Sequence, residues 1–133
     1  NYNDINNEIE NSSPTILIES YMEKLPPGKT LKNSLLLTWK RRYFKLNSIG
    51  NLIIHDIDEK TLKPKENQRD IEVFNLMGGR VEYDQNGVIT IDDSRGNCIV
   101  FRCFTNSLPA ENENQNKDLF QKWKQAIDSQ IID

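Results

Sequence analysis

Apolar residues along this chain alternate in seven short runs and then, once, near the C-terminal end, fall into a helical period. Alternation with period two marks a strand with one buried face. Recurrence at i, i+3/4 and i+7 marks an amphipathic helix. The first strand is read over Ile16-Leu17-Ile18 and Tyr21–Leu25, with a break expected near Ser20, and Pro26-Pro27-Gly28 ends it. The others are read over 38–46, 51–56, 70–74, 80–83, 88–92 and 97–105. Asn47-Ser48-Ile49-Gly50 reads as a hairpin turn, and Asn86-Gly87 is the strongest short hairpin signal in the sequence. The charged stretch 57–68, which contains Pro64, and the polar stretch 108–116 read as loops.

Leu119, Phe120, Trp123, Ala126, Ile127 and Ile131 then mark a helix over 117–131, with Asn114 or Asn116 placed to cap its start. Seven antiparallel strands followed by one helix form a mainly β fold. An open or partly closed barrel of seven strands has an uncovered end, and a helix presenting Trp123 and Ile127 suits it as a plug. At 133 residues the chain is long enough for one domain with a core. Residues 1–14, polar and rich in asparagine, read as a flexible lead-in, and 15–133 as the domain.

The longest apolar runs, Leu35-Leu36-Leu37 and Cys98-Ile99-Val100-Phe101, are far below the roughly 20 residues of a spanning helix. No signal peptide is expected, and a start at Asn1 rather than Met suggests a fragment whose lipidation motif, if it has one, lies upstream. Cys98 and Cys103 sit on one extended segment, over ~15 Å apart at about 3.3 Å per residue, too far to bridge. Without a disulfide framework, a reducing, cytosolic compartment is the expectation.

Charge is unevenly placed. Between Lys24 and Leu46 lie seven basic residues, Lys24, Lys29, Lys32, Lys40, Arg41, Arg42 and Lys45, and no carboxylate. The whole chain carries a formal charge of -3, so everything outside that window is strongly acidic. Such a chain does not attract polyanions by net charge; it is expected to dock an anionic surface in one orientation. Within Trp39-Lys40-Arg41-Arg42-Tyr43-Phe44-Lys45-Leu46, alternation puts Lys40, Arg42, Phe44 and Leu46 on one face. Its apolar end belongs in a barrel core and its basic end at the mouth. Lys24, ending the neighbouring strand, points to the same mouth, and Lys29 and Lys32 lie on the loop above it. These cations converge on a pocket able to take a phosphate, with Arg42 as a planar fork and Lys24 and Lys40 as point charges.

The 39–46 run resembles the second strand of pleckstrin-homology (PH) domains. Ser20–Leu25 is similar to their first strand, which ends in a lysine, and 119–131 to their closing helix, with Trp123 at its signature tryptophan. The resemblance spans roughly 19–131. It implies a PH-like seven-stranded antiparallel β-barrel or sandwich capped by a C-terminal α-helix, and a lipid-binding, non-catalytic role in signalling. The family's phosphoinositide pattern, a lysine in the first strand and Lys/Arg-x-Arg in the second, is met by Lys24, Lys40 and Arg42. Arg69 matches a basic position used by some members. Ile54 stands about where the tightest binders, such as cytohesins, have a phosphate-contacting tyrosine, and Arg95 is the one cation before the seventh strand. These departures favour a simple phosphate pocket over recognition of a polyphosphorylated inositol ring.

A narrower resemblance, through the asparagine-rich tail and overall spacing, is to the acylated PH proteins of apicomplexan parasites. It implies phosphatidic acid as the ligand and a part in regulated secretion. Leu31 and Leu35, interleaved with Lys29 and Lys32, are expected to insert into the acyl region while the lysines meet headgroups. Each cation near an anionic bilayer is worth about 1 kcal/mol, so binding is moderate and salt-sensitive, and a second anchor would make it stable.

Other classes fare worse. His55 is the one histidine, so histidine-based catalysis has no spare parts; it reads as a surface residue of the third strand. Asp92-Asp93 and Asp56-x-Asp58-Glu59 lack metal-loop spacing and read as solvated turns. Trp39 reads as a packing residue. No cofactor or metal is expected. The expected partners are an anionic phospholipid membrane, at its cytosolic face, and a protein. A peptide-binding module using the groove beside the last helix is the alternative. Nucleic acid is disfavoured by the acidic remainder of the chain.

Overall fold

A computed structural model describes residues 13–30, 38–103 and 113–131. Seven strands, β1 (Ile16–Lys24), β2 (Lys40–Asn47), β3 (Asn51–His55), β4 (Ile71–Asn75), β5 (Arg80–Tyr83), β6 (Val88–Asp92) and β7 (Cys98–Arg102), precede one helix, α1 (Glu113–Gln130). All pairings are antiparallel, in the order β4-β3-β2-β1-β7-β6-β5. β1 therefore joins two meanders, touching β7 through Glu23↔Arg102 and Lys24↔Phe101.

Strand alternation builds the core. Met22, Phe44, Leu46, Leu52, Ile54, Ile89, Ile91 and Phe101 point inward and are buried. Each such burial stabilises by roughly 1.5–3 kcal/mol. Trp123 of α1 closes the end: it is 0 % exposed, its ring packs edge-on against Phe44 (6.3 Å) and Phe101 (6.4 Å), and its Nε1 donates to Ser20 Oγ at 2.9 Å. Ile127 is also buried, and Leu119, Phe120, Ala126 and Ile131 pack beside it. The helix plug read from the 3.6-residue period is thus present.

Turn chemistry sets the register. Asn47 Oδ1 accepts from the amides of Ile49 and Asn51, and Gly50 takes a positive φ of 82° to close the β2–β3 hairpin. At Gly79 an added Cβ would lie 2.6 Å from the Asp92 carbonyl, so the β4–β5 turn packs directly on β6.

Four expectations are corrected. β1 does not break near Ser20; its register shifts between Ile16 and Ile18 instead. α1 begins at Glu113, so Asn114 and Asn116 lie inside the helix rather than at its cap. Asp93 is not a solvated turn residue but is buried, with Oδ1 accepting from the amides of Arg95 and Asn97 and Oδ2 from the Asn97 side chain. His55 is not a surface residue: it is 3 % exposed. Alternation from the inward Ile54 puts it on the outer face of the sheet, but the β3–β4 segment folds back over that face. Tyr21 Oη donates to the Leu62 carbonyl at 2.9 Å, and His55 Nδ1 lies 2.8 Å from the Lys65 carbonyl. Tyr21, Tyr43 and His55, directly opposite one another across β1, β2 and β3, form a row beneath that loop.

Cys98 is exposed and Cys103 buried, and both are free thiols. Burial pushes the Cys103 thiol up to about 12. No described helix is long and apolar enough to cross a membrane.

Candidate functional site

Residues directly opposite in an antiparallel pair project to the same face. On β1 and β2 the inward pairs run Ser20↔Phe44, Met22↔Arg42, Lys24↔Lys40. The inward face therefore passes from apolar to cationic toward the β1–β2 connection. On β3 and β4 the inward pairs are Leu52↔Phe74 and Ile54↔Glu72. One step past Ile54 the chain reaches Asp56, whose amide bonds to the Asp70 carbonyl and extends the ladder. Cations from β1 and β2 and carboxylates from β3 and β4 meet at one end of the barrel.

They pair there. Lys24, 6 % exposed, puts its Nζ 3.3 Å from Glu72 Oε1. Arg42 Nε lies 2.8 Å from Asp56 Oδ1, and its Nη1 donates to the Arg41 carbonyl at 2.7 Å. Two sides of the guanidinium fork are thus engaged within the protein. Lys40 is exposed, with no ion pair among the described residues.

Two open cavities flank this end. One, of about 380 Å³, lies between the start of the β1–β2 connection, β4 and the start of β7; Lys24, Lys29, Glu72, Phe74 and Asn97 line it. The other, of about 450 Å³, is lined by Arg42, Asp56, Asp58, Glu59, Lys60 and Lys65. Lys24 and Lys29 are brought together, but Arg42 faces the second cavity and Lys40 lines neither, so, contrary to expectation, these cations do not converge on a single pocket. Arg69 sits exposed on a short 3-10 turn over Gln68–Asp70 and lines neither. Arg95, exposed on the β6–β7 turn, lines neither cavity. Lys32, Leu31 and Leu35 lie outside the described residues.

Asp56 is not merely part of a solvated turn, since it pairs with Arg42, and Glu72 carries no motif that singles it out; a signal for both nonetheless exists. Carrying the period-two argument one step past Ile54, or one step back from Phe74, puts both on the inward face. Lys60 and Lys65 have none, and only the fold of the β3–β4 segment brings them near Arg42. That segment is held by Asp58. Its Oδ1 accepts from the amides of Thr61 and Lys60, and these bonds hold its carboxyl below the usual carboxylate range. Trp39 is a packing residue, half-buried on Leu25, Val88 and Val100, with the Arg102 guanidinium stacked 4.0 Å from its ring centre. Among the described residues no three His, Cys, Asp or Glu side chains are grouped to hold a metal ion.

Compared by sequence, the chain matches no family model and no curated protein. Compared by structure, it is similar to the pleckstrin homology domain of ArhGAP27, with a TM-score of 0.56 and 15 % identity over 86 % of this chain and 98 % of that one. It is also similar to the C-terminal PH domain of pleckstrin. In its complex with D-myo-Ins(1,2,3,4,5)P5 that domain gives a TM-score of 0.54 at 15 % identity, over 88 % of this chain and 99 % of that one. A second structure of the same domain gives 0.53 at 16 %, over 87 % and 97 %. The chain therefore has the pleckstrin-homology fold, as the resemblance of its second strand and closing helix implied.

Proposed function

We propose that this protein is a peripheral membrane module that recognises anionic phospholipid headgroups at the cationic end of its barrel. The observation that carries the reading is the side-by-side register of Lys24 and Lys40, with Arg42 next on the same inward face and a cavity opening beside Lys24 and Lys29. Lys24 and Lys40 supply point charges, and Arg42 supplies a fork once it leaves Asp56. Lys32, on the same connection, adds to the field, and Arg69 contributes from the rim. Leu31 and Leu35 enter the acyl region.

Phosphatidic acid is the favoured ligand, ahead of the phosphoinositides. Its exposed phosphomonoester needs few ligands, and two of the three inward cations are already matched by carboxylates. Ile54, buried in the core, offers no hydroxyl to an inositol ring. The PH fold is typically a non-catalytic binding module, and one of its pleckstrin examples holds an inositol pentakisphosphate. The role in this reading is an adaptor at the cytosolic face of a membrane, serving signalling or secretion, with a protein partner and without cofactor or nucleic acid.

The test is co-sedimentation with phosphatidylcholine vesicles containing phosphatidic acid, phosphatidylserine at equal charge, or a phosphoinositide, at near-physiological salt. Pelleting with phosphatidic acid that is lost in Arg42→Ala supports the reading. Preference for one phosphoinositide changes the ligand. No pelleting with any of them rejects it. A second reading, a peptide-binding module, draws on the open groove of about 400 Å³ between β1 and α1, where Leu17 is 42 % exposed beside Ile18 and Ala126.

A further inference from the structure

Seven cations with no carboxylate between them give the 24–46 window its basic character, yet the fold does not leave that charge open. Glu72 comes from β4 to Lys24, although β2 and β3 lie between their strands, and Asp56 comes from the end of β3 to Arg42. Both carboxylates sit where an anionic ligand would have to sit. Glu72 lines the same cavity as Lys24 and Lys29, and Asp56 the same cavity as Arg42. Their side chains are 44 % and 41 % exposed, so each can swing to water when a competitor arrives.

We propose that Glu72 and Asp56 are specificity-determining residues of this site: each occupies a headgroup-binding cation in a pre-formed ion pair, so an anion binds by displacing a carboxylate that then stays nearby. This rests on the headgroup reading above. A displaced carboxylate a few ångströms from the bound phosphate repels it, and the repulsion grows with each further phosphate on the ligand. A headgroup with a single phosphate needs to displace one carboxylate. A ring carrying several spans both cavities and meets both. The pairs therefore set a ceiling on ligand charge and hold the site against polyphosphates that the basic window alone would attract.

The two carboxylates can be neutralised without changing shape. Gln at 72 keeps an amide oxygen that the nearly buried Lys24 ammonium can donate to, and Asn at 56 does the same for Arg42, so folding is retained and thermal melting checks it. The probes are phosphatidylcholine vesicles bearing phosphatidic acid or a bisphosphorylated inositol lipid. The double variant Glu72→Gln/Asp56→Asn is expected to bind the bisphosphorylated lipid about five- to tenfold more tightly than the unmodified protein, and phosphatidic acid about two- to threefold more tightly. The charge-matched control Glu66→Gln/Asp118→Asn, which removes two exposed carboxylates elsewhere, is expected to change neither by more than about twofold.

Equal tightening on both lipids, tightening as large in the control, or no tightening in a variant that melts normally would each overturn the inference while leaving Lys24-dependent binding of the unmodified protein intact. If the unmodified protein and both variants bind neither vesicle, the headgroup reading falls and this inference falls with it.

Discussion

Lys24 and Glu72 meet across the barrel end, Nζ to Oε1 at 3.3 Å, from strands that are not neighbours in the sheet. The lysine is nearly buried and the glutamate half-exposed. The contact is formed only when the sheet has curled far enough to bring β4 over β1, so it reports on closure of the barrel as well as on charge.

That asymmetry separates stability from binding at Lys24. In Lys24→Met the side chain keeps most of its apolar stem, and the half-exposed Glu72 is left to water. The loss of stability is expected to stay within about 1 kcal/mol, as for other partly exposed pairs. A charge-assisted hydrogen bond to a phosphate is worth about 1.5–3 kcal/mol, so affinity for phosphatidic acid vesicles is expected to fall about tenfold or more. Urea unfolding and vesicle co-sedimentation on the same variant measure the two effects. A fall in stability as large as the fall in binding would make Lys24 a folding residue first.

Trp123 is expected to behave in the opposite way. Its ring is unexposed, it touches Phe44 and Phe101, and its Nε1 ties α1 to Ser20 on β1. Trp123→Ala removes the plug and is expected to cost about 3–5 kcal/mol. Trp123→Phe keeps much of the packing and loses the hydrogen bond, for roughly 1–2 kcal/mol more modest damage. Denaturant midpoints should fall in that order, with Ser20→Ala matching part of the Trp123→Phe loss.

The elements that could be read from sequence are those whose signal is local. β5 and β6 end where expected because Asn86-Gly87 fixes their hairpin, and α1 was found because its period differs from everything before it. The basic half of the site followed from alternation along β1 and β2. Its acidic half did not: the β2–β3 hairpin register, continued past Tyr43↔His55, sets Asp56 opposite Arg42, but Glu72 reaches Lys24 only through the pairing of β3 with β4 across a long loop, whose register no short window encodes. The same holds for His55: alternation says which face of the sheet a side chain occupies, not which loop later covers that face.

His55 offers a direct check of that covering loop. A carbonyl can only accept, so the 2.8 Å contact with the Lys65 oxygen requires the proton on Nδ1. Nε2 is buried without a hydrogen-bond partner among the described residues. Nitrogen chemical shifts are expected to identify the Nδ1–H tautomer. His55→Ala orphans the Lys65 carbonyl and opens a gap under the loop, costing about 1–3 kcal/mol. Amide exchange should rise across 57–67 in that variant while β6 and β7 stay protected. An exposed, freely tautomerising imidazole would contradict the folded-back loop.

Asp93 predicts the shape of the acid limb. Burial pushes its carboxyl up, but hydrogen bonds from the Asn97 side chain and from the amides of Asn97 and Arg95, with the nearby Arg95 charge, outweigh that and hold it below the ordinary range. A group depressed in the folded state stabilises the protein above its unfolded pKa of about 3.9, and that contribution is lost as pH falls through the folded value. Asp93→Ala is expected to cost about 1–3 kcal/mol at pH 7, since two backbone amides of the β6–β7 turn lose their acceptor. The gap between the variant and the unmodified protein should then narrow as pH drops below about 4. Urea midpoints taken from pH 7 to pH 2.5 follow it directly. A gap that stays constant through that range would mean that Asp93 acts through its shape and not through its charge.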